Sequence, residues 1–575
     1  MSHDFPSGSV SIASIPTGGP NTGGLEEGGI AKSSTCPSSR VASAMGTHFC
    51  GTGESCKQAT TIDMLPDDVF LQIFDFCRME HDPDVGYPPR PVWDWHRLVH
   101  VCQRWRHIVF ASPRRLDLQI YCTYRTPVRE NLGCWPALPI AIDYCIYHDE
   151  GYDDGYETPP PTGEDCDNAI AAFEHPDRVR SIRITMTKFL LEDMVVVLQK
   201  PFPVLTSLML QSGPGPGYIP PFLPDAFLGG YAPRLQEFAL DSVPFPTFPT
   251  FLRSARDLVK LQLFNIPLDG SISAGMMVAS LAELTKLEYL NISIEERWRW
   301  FKSSSLSDQI RAPQTRIVLP TLTRFRFLGT RKYLEEFVAQ TETPQLSHLS
   351  IKYPSIRDVV QVPHTFEFIS RTEHLKLAEF RRARVHFGGP DAHISLDHSQ
   401  AERHPCYLDL RIQCGRLYRQ IPTMIRLLTR LESSHIISNV RHLSVATFDE
   451  EPLRGNTDPA EWLVFLRSFT AVETLETCDR LAGLLVTVLE VSTDMVAATL
   501  PALQSLNLEG QPLTSGALKK FVAARQLSGR PIIVDNIRKN TPCEMCHYHP
   551  QQDAKDENAQ EDEKSSLQEQ PDLSS

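Results

Sequence analysis

The sequence predicts an α/β repeat solenoid preceded by a small all-α module, with disordered segments at both ends. Three observations predict it. One apolar pattern returns from about residue 178 to residue 510. Two short amphipathic stretches with helical spacing lie upstream of it. Residues 1–60 and 536–575 carry neither periodicity nor apolar density.

The bounds agree with that class. At 575 residues the chain is too long for one compact core, so several domains or a long array is expected. The net charge is −14, but eight acidic residues and two Lys from Asp553 onward account for −6 of it. The rest is only mildly acidic, which argues against a nucleic-acid partner. The most apolar run, LAGLLVTVLEVSTDMVAATL, is interrupted by Glu490 and Asp494, so no membrane span is expected. The opening MSHDFPSGSVSIASIPTGG has no basic region leading into an apolar core, so no secretory leader is expected. Fourteen cysteines in such a chain read as reduced thiols, which points to the cytoplasm and/or nucleus.

Taken in order, residues 1–60 are rich in Gly, Ser, Thr and Pro and cannot bury enough apolar area to offset the entropy of ordering. Residues 61–125 hold the helical module. In TTIDMLPDDVFLQIFDFC, Pro66 suits the start of a helix, and Asp67 and Asp68 suit the positive end of its dipole. Val69, Phe70, Ile73, Phe74 and Cys77 then form an apolar stripe. In LVHVCQRWRHIVFASP, residues 98–113, Leu98, Val99, Val101, Cys102, Trp105, Ile108 and Val109 recur at helical spacing. Two such helices, separated by RMEHDPDVGYPPRPVWDW, make a shallow core that needs further contacts. Residues 126–169 read as a linker whose acidic, Pro-rich part, HDEGYDDGYETPPPTGEDCDN, lacks the residue order of a calcium loop.

Residues 170–535 hold the array. Its units place an apolar residue, two variable ones, an apolar residue, one variable, and a last apolar residue. They are VRSIRI (179–184), LTSLML (205–210), LQEFAL (235–240), LVKLQL (258–263), LEYLNI (287–292) and LTRFRF (322–327). The series continues with LSHLSI (346–351), TEHLKL (372–377), YLDLRI (407–412), VRHLSV (440–445), VETLET (472–477) and LQSLNL (503–508). A recurring period of roughly thirty residues is what stacked repeats produce. The period-two step at the end of each unit predicts a short strand with its apolar side chains facing in. Helical spacing in SGALKKFVAARQ and AEWLVFLRSF supplies the return segments, and about 12 units follow. Residues 536–575 are a polar, acidic tail, read as disordered.

Two resemblances follow from these motifs. The repeats resemble leucine-rich repeats, with LPALQSLNLEGQPLTSGALKKFV nearest that pattern, and imply an irregular leucine-rich-repeat horseshoe. The upstream helices resemble the F-box: Leu65-Pro66-Asp67-Asp68-Val69 matches its opening and Val101-Cys102-Gln103-Arg104-Trp105-Arg106 its closing helix. The link between them is longer than that family usually shows. The combination implies a substrate-recognition subunit of an SCF-type cullin–RING ubiquitin ligase, itself without catalysis or cofactor. Its F-box would bind the Skp adaptor through Leu65, Pro66, Val69, Ile73, Leu98, Val101, Cys102 and Trp105. The other reading of the helices is a cap on the solenoid, in a scaffold that never meets a ligase.

In leucine-rich repeats the variable strand residues line the concave face, which here implies Gln211, Asp241, Gln262, Phe264, Asn291, Gln413, Asn507 and Glu509. It also implies Arg326, Lys352, Lys376 and Arg411, a basic group suited to an acidic or phosphorylated segment of an unknown protein target.

Other constellations carry less. Cys543, Cys546, His547 and His549 offer four zinc ligands or a haem-attachment order, but four ligands inside seven residues leave little chain to wrap a metal. An incidental tail cluster is the other reading. Gly213-Pro214-Gly215-Pro216-Gly217 lacks the backbone donors of a phosphate loop. His386, His393, His398 and His404 show no metal spacing and are expected in a surface loop. IEERWRWFKSSS, 294–305, is either a return segment or an exposed recognition loop built on Trp and Arg.

Overall fold

The computed structural model describes residues 64–78, 95–123, 128–134, 137–145, 166–213, 222–295, 316–353, 362–389, 391–398, 407–414, 417–433, 435–447, 458–478, 499–508 and 516–535, with 481, 482, 484, 485 and 488 between residues 478 and 499. Residues 1–60, the acidic loop up to residue 165, the Gly/Pro run from Pro214, most of 294–305, His404 and the cysteine–histidine tail cluster lie outside the described residues. The chain divides into two units, 1–66 and 67–575. In the first, Met64–Pro66 are the described residues.

Three helices open the second unit: α1 (Asp67–Arg78), α2 (Trp95–Val101) and α3 (Gln103–Ala111). Strands then follow in the order β1 (Ile120–Cys122), β2 (Ile140–Cys145), β3 (Val179–Met186), β4 (Ser207–Ser212), β5 (Glu237–Asp241), β6 (Lys260–Pro267), β7 (Tyr289–Glu295), β8 (Ile317–Val318) and β9 (Arg324–Leu328). The rest are β10 (Thr341–Glu342), β11 (His348–Tyr353), β12 (Arg382–Phe387), β13 (Asp391–Asp397), β14 (Tyr407–Gln413), β15 (His442–Thr447), β16 (Thr474–Thr477), β17 (Ser505–Leu508) and β18 (Ile533–Asp535). Sixteen form one open sheet in the order β1-β2-β3-β4-β5-β6-β7-β9-β11-β14-β13-β12-β15-β16-β17-β18; β8 and β10 pair separately. Every neighbouring pair is parallel except those made by β13, which runs antiparallel to both β12 and β14. The protein is therefore a mixed α/β molecule built on a large, mostly parallel sheet.

The register explains why the pattern in the sequence works. Leu208, Phe238, Leu261, Leu290, Phe325 and Leu349 are successive cross-strand partners, and so are Leu210, Leu240, Leu263, Ile292, Phe327 and Ile351. All are buried. Two unbroken apolar rows thus run across the sheet, because a parallel ladder keeps the period-two alternation in phase from strand to strand. The intervening helices cover these rows. Phe238 meets Phe251 of helix Thr250–Ser254 at 5.3 Å, Phe325 meets Phe337 of helix Arg331–Gln340 at 5.2 Å, and Phe387 meets Trp462 of helix Pro459–Arg467 at 5.3 Å.

Eleven of the twelve units fall on strands of this sheet. The twelfth does not. TEHLKL forms a helix, Glu373–Leu377, with Leu375 buried and Leu377 exposed. A strand would have put both leucines on one face; the helix, entered directly from helix Pro363–Arg371, needs only one inside. The strand of that unit lies further on, where Phe380, Ala383 and Val385 restate the pattern without leucine and β12 alternates buried with half-exposed residues. YLDLRI is on a strand but in a shifted register. Leu408 and Leu410, rather than Leu410 and Ile412, pair with Leu349 and Ile351.

Two further differences concern boundaries. The sheet begins at β1 and β2, within the stretches assigned to the helical module and to the linker, and the linker also holds a helix, Val128–Cys134. Short alternations such as Leu138, Ile140 and Ile142 lack the leading apolar residue that marks the later units, yet they bury as well. The stretch 98–113 is not one helix: it breaks at Cys102, whose backbone is extended and whose Sγ accepts from the Trp105 N–H at 3.4 Å, starting α3. Among the described residues no helix is long and apolar enough to cross a membrane.

Candidate interaction surfaces

The helical module is built around Trp105. Its ring lies edge-on to Phe70 at 5.5 Å and to Phe74 at 5.0 Å, and both phenylalanines are fully buried. Arg104 closes the same packing from outside. Its guanidinium sits 4.9 Å above the Phe70 ring and its Nη2 donates to Asp67 at 2.7 Å, the α1 residue that also favours the helix dipole. Val99, Ile108 and Val109 complete the interior. Trp95 Nε1 donates to the Gln119 carbonyl at 2.9 Å, and Arg115 reaches Asp75 at 3.3 Å, so the helices are tied to the segment that enters β1.

With that interior complete, apolar side chains remain outside. Along α1, Val69 is half-buried, Ile73 is 39% exposed and Phe76 is 74% exposed; at the end of α2, Val101 is 58% exposed and Cys102 is open to solvent. Leu98 and Trp105 are half-buried. Leu65 and Pro66 belong to the other unit, the first half-buried and the second exposed. Residues 69, 73 and 76 follow the i, i+4, i+7 spacing of one helix face. Phe76, the most exposed of them, was missed on sequence because residues 70, 73, 74 and 77 already filled an amphipathic stripe.

The second surface is the face of the sheet away from the apolar rows. Its middle row runs Asp143, Arg183, Met209, Ala239, Gln262, Asn291, Arg326, Ser350, Asp409, Ser395, Arg384, Ser444, Glu476, Asn507 and Asp535 across the strands. Of the four basic candidates, Arg326 lies in this row, while Lys352 and Arg411 are direct cross-strand partners in the row beside it. Lys376 does not join them: it sits exposed on helix Glu373–Leu377, because its unit is not the strand. Arg324, Arg382 and Arg384 stand on the face instead. Gln211, Asp241, Gln262, Phe264, Asn291, Gln413 and Asn507 lie on strands as expected, with Gln211 donating to Asp241 at 3.0 Å; Glu509 is outside the described residues.

The centre of this face is a cluster of titratable groups around Asp409. The carboxylate accepts from Ser350 Oγ at 2.8 Å, is hydrogen-bonded to His393 Nε2, and has Arg411 Nε at 3.8 Å. Burial pushes its pKa up, but His393, then Arg411 and the Ser350 hydroxyl, outweigh that and hold it below the ordinary carboxylate value. His386 stacks on His393 with ring centroids 5.5 Å apart. Burial first, then the neighbouring His393, Arg384 and Arg411, lowers the His386 pKa to about 4. His386 and His393 are therefore strand residues of β12 and β13, not part of a surface loop. Lys352 Nζ lies 3.7 Å from Asp391, and Arg384 meets Asp397 at 2.7 Å. Ser350 and His393 are thus held on the two oxygens of one carboxylate. Arg324 and Arg326 are exposed and make no side-chain ion pair or hydrogen bond among the described residues.

Comparison of the chain with protein-family models finds no match, and no curated protein matches it either.

Proposed function

We propose that the chain is the substrate-recognition subunit of an SCF-type ubiquitin ligase, with α1–α3 docking on the Skp adaptor and the sheet, an irregular leucine-rich-repeat array, holding the target. The chain would do no bond chemistry. It would raise the effective concentration of target lysines near a charged conjugating enzyme bound elsewhere in the complex, in the cytoplasm or nucleus.

The observation that carries this reading is the pairing of a finished interior with an unfinished surface. Phe70, Phe74 and Trp105 close the core of the helices, while Ile73, Phe76, Val101 and Cys102 stay outside at or beside the positions that resemble the F-box contact. Apolar side chains of this kind, next to an aromatic anchor, suit a protein partner. The test uses the full chain. Tagged protein is mixed with recombinant Skp adaptor at moderate salt, beside Ile73→Asp and Val101→Asp variants. Retention by the parent and its loss in both variants, with unchanged thermal melting, supports the reading; retention that ignores both substitutions, or no retention at all, overturns it.

One observation favours the other reading, a scaffold in which the helices cap the sheet. The Trp95 bond to the Gln119 carbonyl and the Arg115–Asp75 pair tie the helices to the first strand, as a cap requires. Interaction proteomics on the intact chain and on a deletion of 62–110 separates the two: ligase subunits vanish with the deletion only if the helices dock.

A further inference from the structure

The basic patch at the centre of the sheet face has a charge problem that its own carboxylates only half solve. Arg324, Arg326, Lys352, Arg411, Arg382 and Arg384 converge there, on β9, β11, β14 and β12. Three carboxylates oppose them, Asp391, Asp397 and Asp409. Lys352 and Arg411 are directly opposite on neighbouring strands, each with one carboxylate beside it, Asp391 at 3.7 Å and Asp409 at 3.8 Å, while Arg324 and Arg326 are exposed and make no side-chain ion pair among the described residues. Beyond the patch the face is mixed on one side, where Asp143 stands opposite Arg183 and Glu237 opposite Lys260, and carries Glu476 and Asp535 on the other.

We propose that the chain's own acidic segment, residues 553–572, occupies this patch and competes there with whatever the face recognises. The complementarity is direct. The segment carries eight carboxylates and two Lys, opposite in sign to the six basic side chains of the patch. Reach is sufficient. Seventeen residues, 536–552, separate β18 from Asp553. A random coil of seventeen residues spans about 20–25 Å root-mean-square. At ~4.8 Å per strand spacing, β12 is about 19 Å from β18 and β9 about 38 Å, a distance the segment's own length then covers. Tethering at this range gives an effective concentration on the order of a millimolar, so even a segment with a Kd of about 100 µM holds the patch most of the time. The regulatory meaning rests on the recognition reading above; the binding itself does not.

The test is a fluorescence-anisotropy titration of a labelled peptide of residues 551–575. It is run against the chain ended at residue 550 and against the intact chain, neither of which needs the adaptor. The shortened chain should bind saturably, with affinity falling several-fold as salt is raised, and the intact chain should bind about ten-fold more weakly because its own segment competes. Arg324→Glu with Arg326→Glu in the shortened chain should weaken binding about five-fold or more, while Arg324→Lys with Arg326→Lys should hold it within about two-fold. No saturable binding by the shortened chain, equal affinity for both chains, or indifference to the charge reversal overturns the proposal. A chain that captures the peptide yet ignores the adaptor would sink the ligase reading and leave this one standing.

Discussion

His386 makes the stability of the sheet depend on pH in a window set by its burial. The side chain lies on β12 against His393, with Arg384 and Arg411 nearby, and its pKa falls from 6.5 to about 4. In the unfolded chain the same imidazole takes up a proton as pH drops past its ordinary value; in the folded chain it stays neutral until about pH 4. The unfolded state therefore binds more protons between those limits, and stability falls as pH falls through the window. It is fully present above 6.5 and has finished falling by about 4. At about 1.4 kcal/mol per pH unit the whole window is worth on the order of 3 kcal/mol, and about 2 kcal/mol of it is gone by pH 5. Asp409 works in a lower range: its depressed pKa contributes stability that is lost only below the ordinary carboxylate value, so the two effects separate. The assay is urea unfolding of the parent and of His386→Gln, which cannot titrate, at pH 7.5, 6, 5 and 4.5. The parent's stability relative to the variant should be flat above pH 6.5 and should decline by about 2 kcal/mol by pH 5. A difference that stays constant down to pH 4.5, or grows on acidification, refutes the burial argument.

Three further expectations follow from buried polar and aromatic contacts. Glu335 is 1% exposed and accepts from the His364 N–H at 2.9 Å, the Thr365 N–H at 2.9 Å and the Thr365 hydroxyl at 2.5 Å, closing the start of helix Pro363–Arg371 from a neighbouring helix. Glu335→Gln turns one acceptor into a donor facing a donor and should cost about 2 kcal/mol, read by denaturation and by faster hydrogen exchange confined to that helix. Trp105→Ala should cost about 2–3 kcal/mol and accelerate exchange across α1, since Phe70 and Phe74 lose the ring they pack on; an unchanged α1 would refute that packing. Arg525, fully buried, donates to the Leu500 and Leu503 carbonyls at 3.3 and 2.7 Å and makes no ion pair with a carboxylate among the described residues. Arg525→Lys should lower the melting temperature more than Arg525→Met, because a shorter side chain keeps a buried charge while losing the bonds that compensate it.

Sequence periodicity read the sheet well and its exceptions poorly, for one physical reason. The apolar alternation is a statement about which face is buried, and it holds wherever a strand sits between two others. It located eleven units and the polar rows beside them. It failed at TEHLKL because a five-residue helix also buries one leucine of that string, and nothing local chooses between the two. It passed over β12 because Ala383 and Val385 carry the row there with less apolar bulk than leucine. The antiparallel β13 was invisible for a different reason: its partners are set by chain reversal, which period-two spacing does not encode. On the helices, the packed residues were legible as a stripe, but the exposed Phe76 and the break at Cys102 depend on tertiary contacts.

The same exception gives the sheet face its chemistry. A repeat unit contributes one strand to the sheet, and its outward residues repeat the roles of their neighbours. The β12–β13 pair inserts two, reversed with respect to each other, yet Leu396 and Ile394 still fall in the two apolar rows because antiparallel pairing preserves the alternation of faces. What changes is the outward side. His386 and His393 are placed opposite one another, Arg411 is brought beside His393, and Ser395 beside Asp409. Reversing the strand thus leaves the core's energetics intact and concentrates two histidines, a buried carboxylate and three guanidinium groups within a few strand spacings. The place where the sheet departs from parallel order is therefore where its acid sensitivity and the proposed site for the acidic segment coincide. A variant that removes one, such as His386→Gln, should be measured for the other.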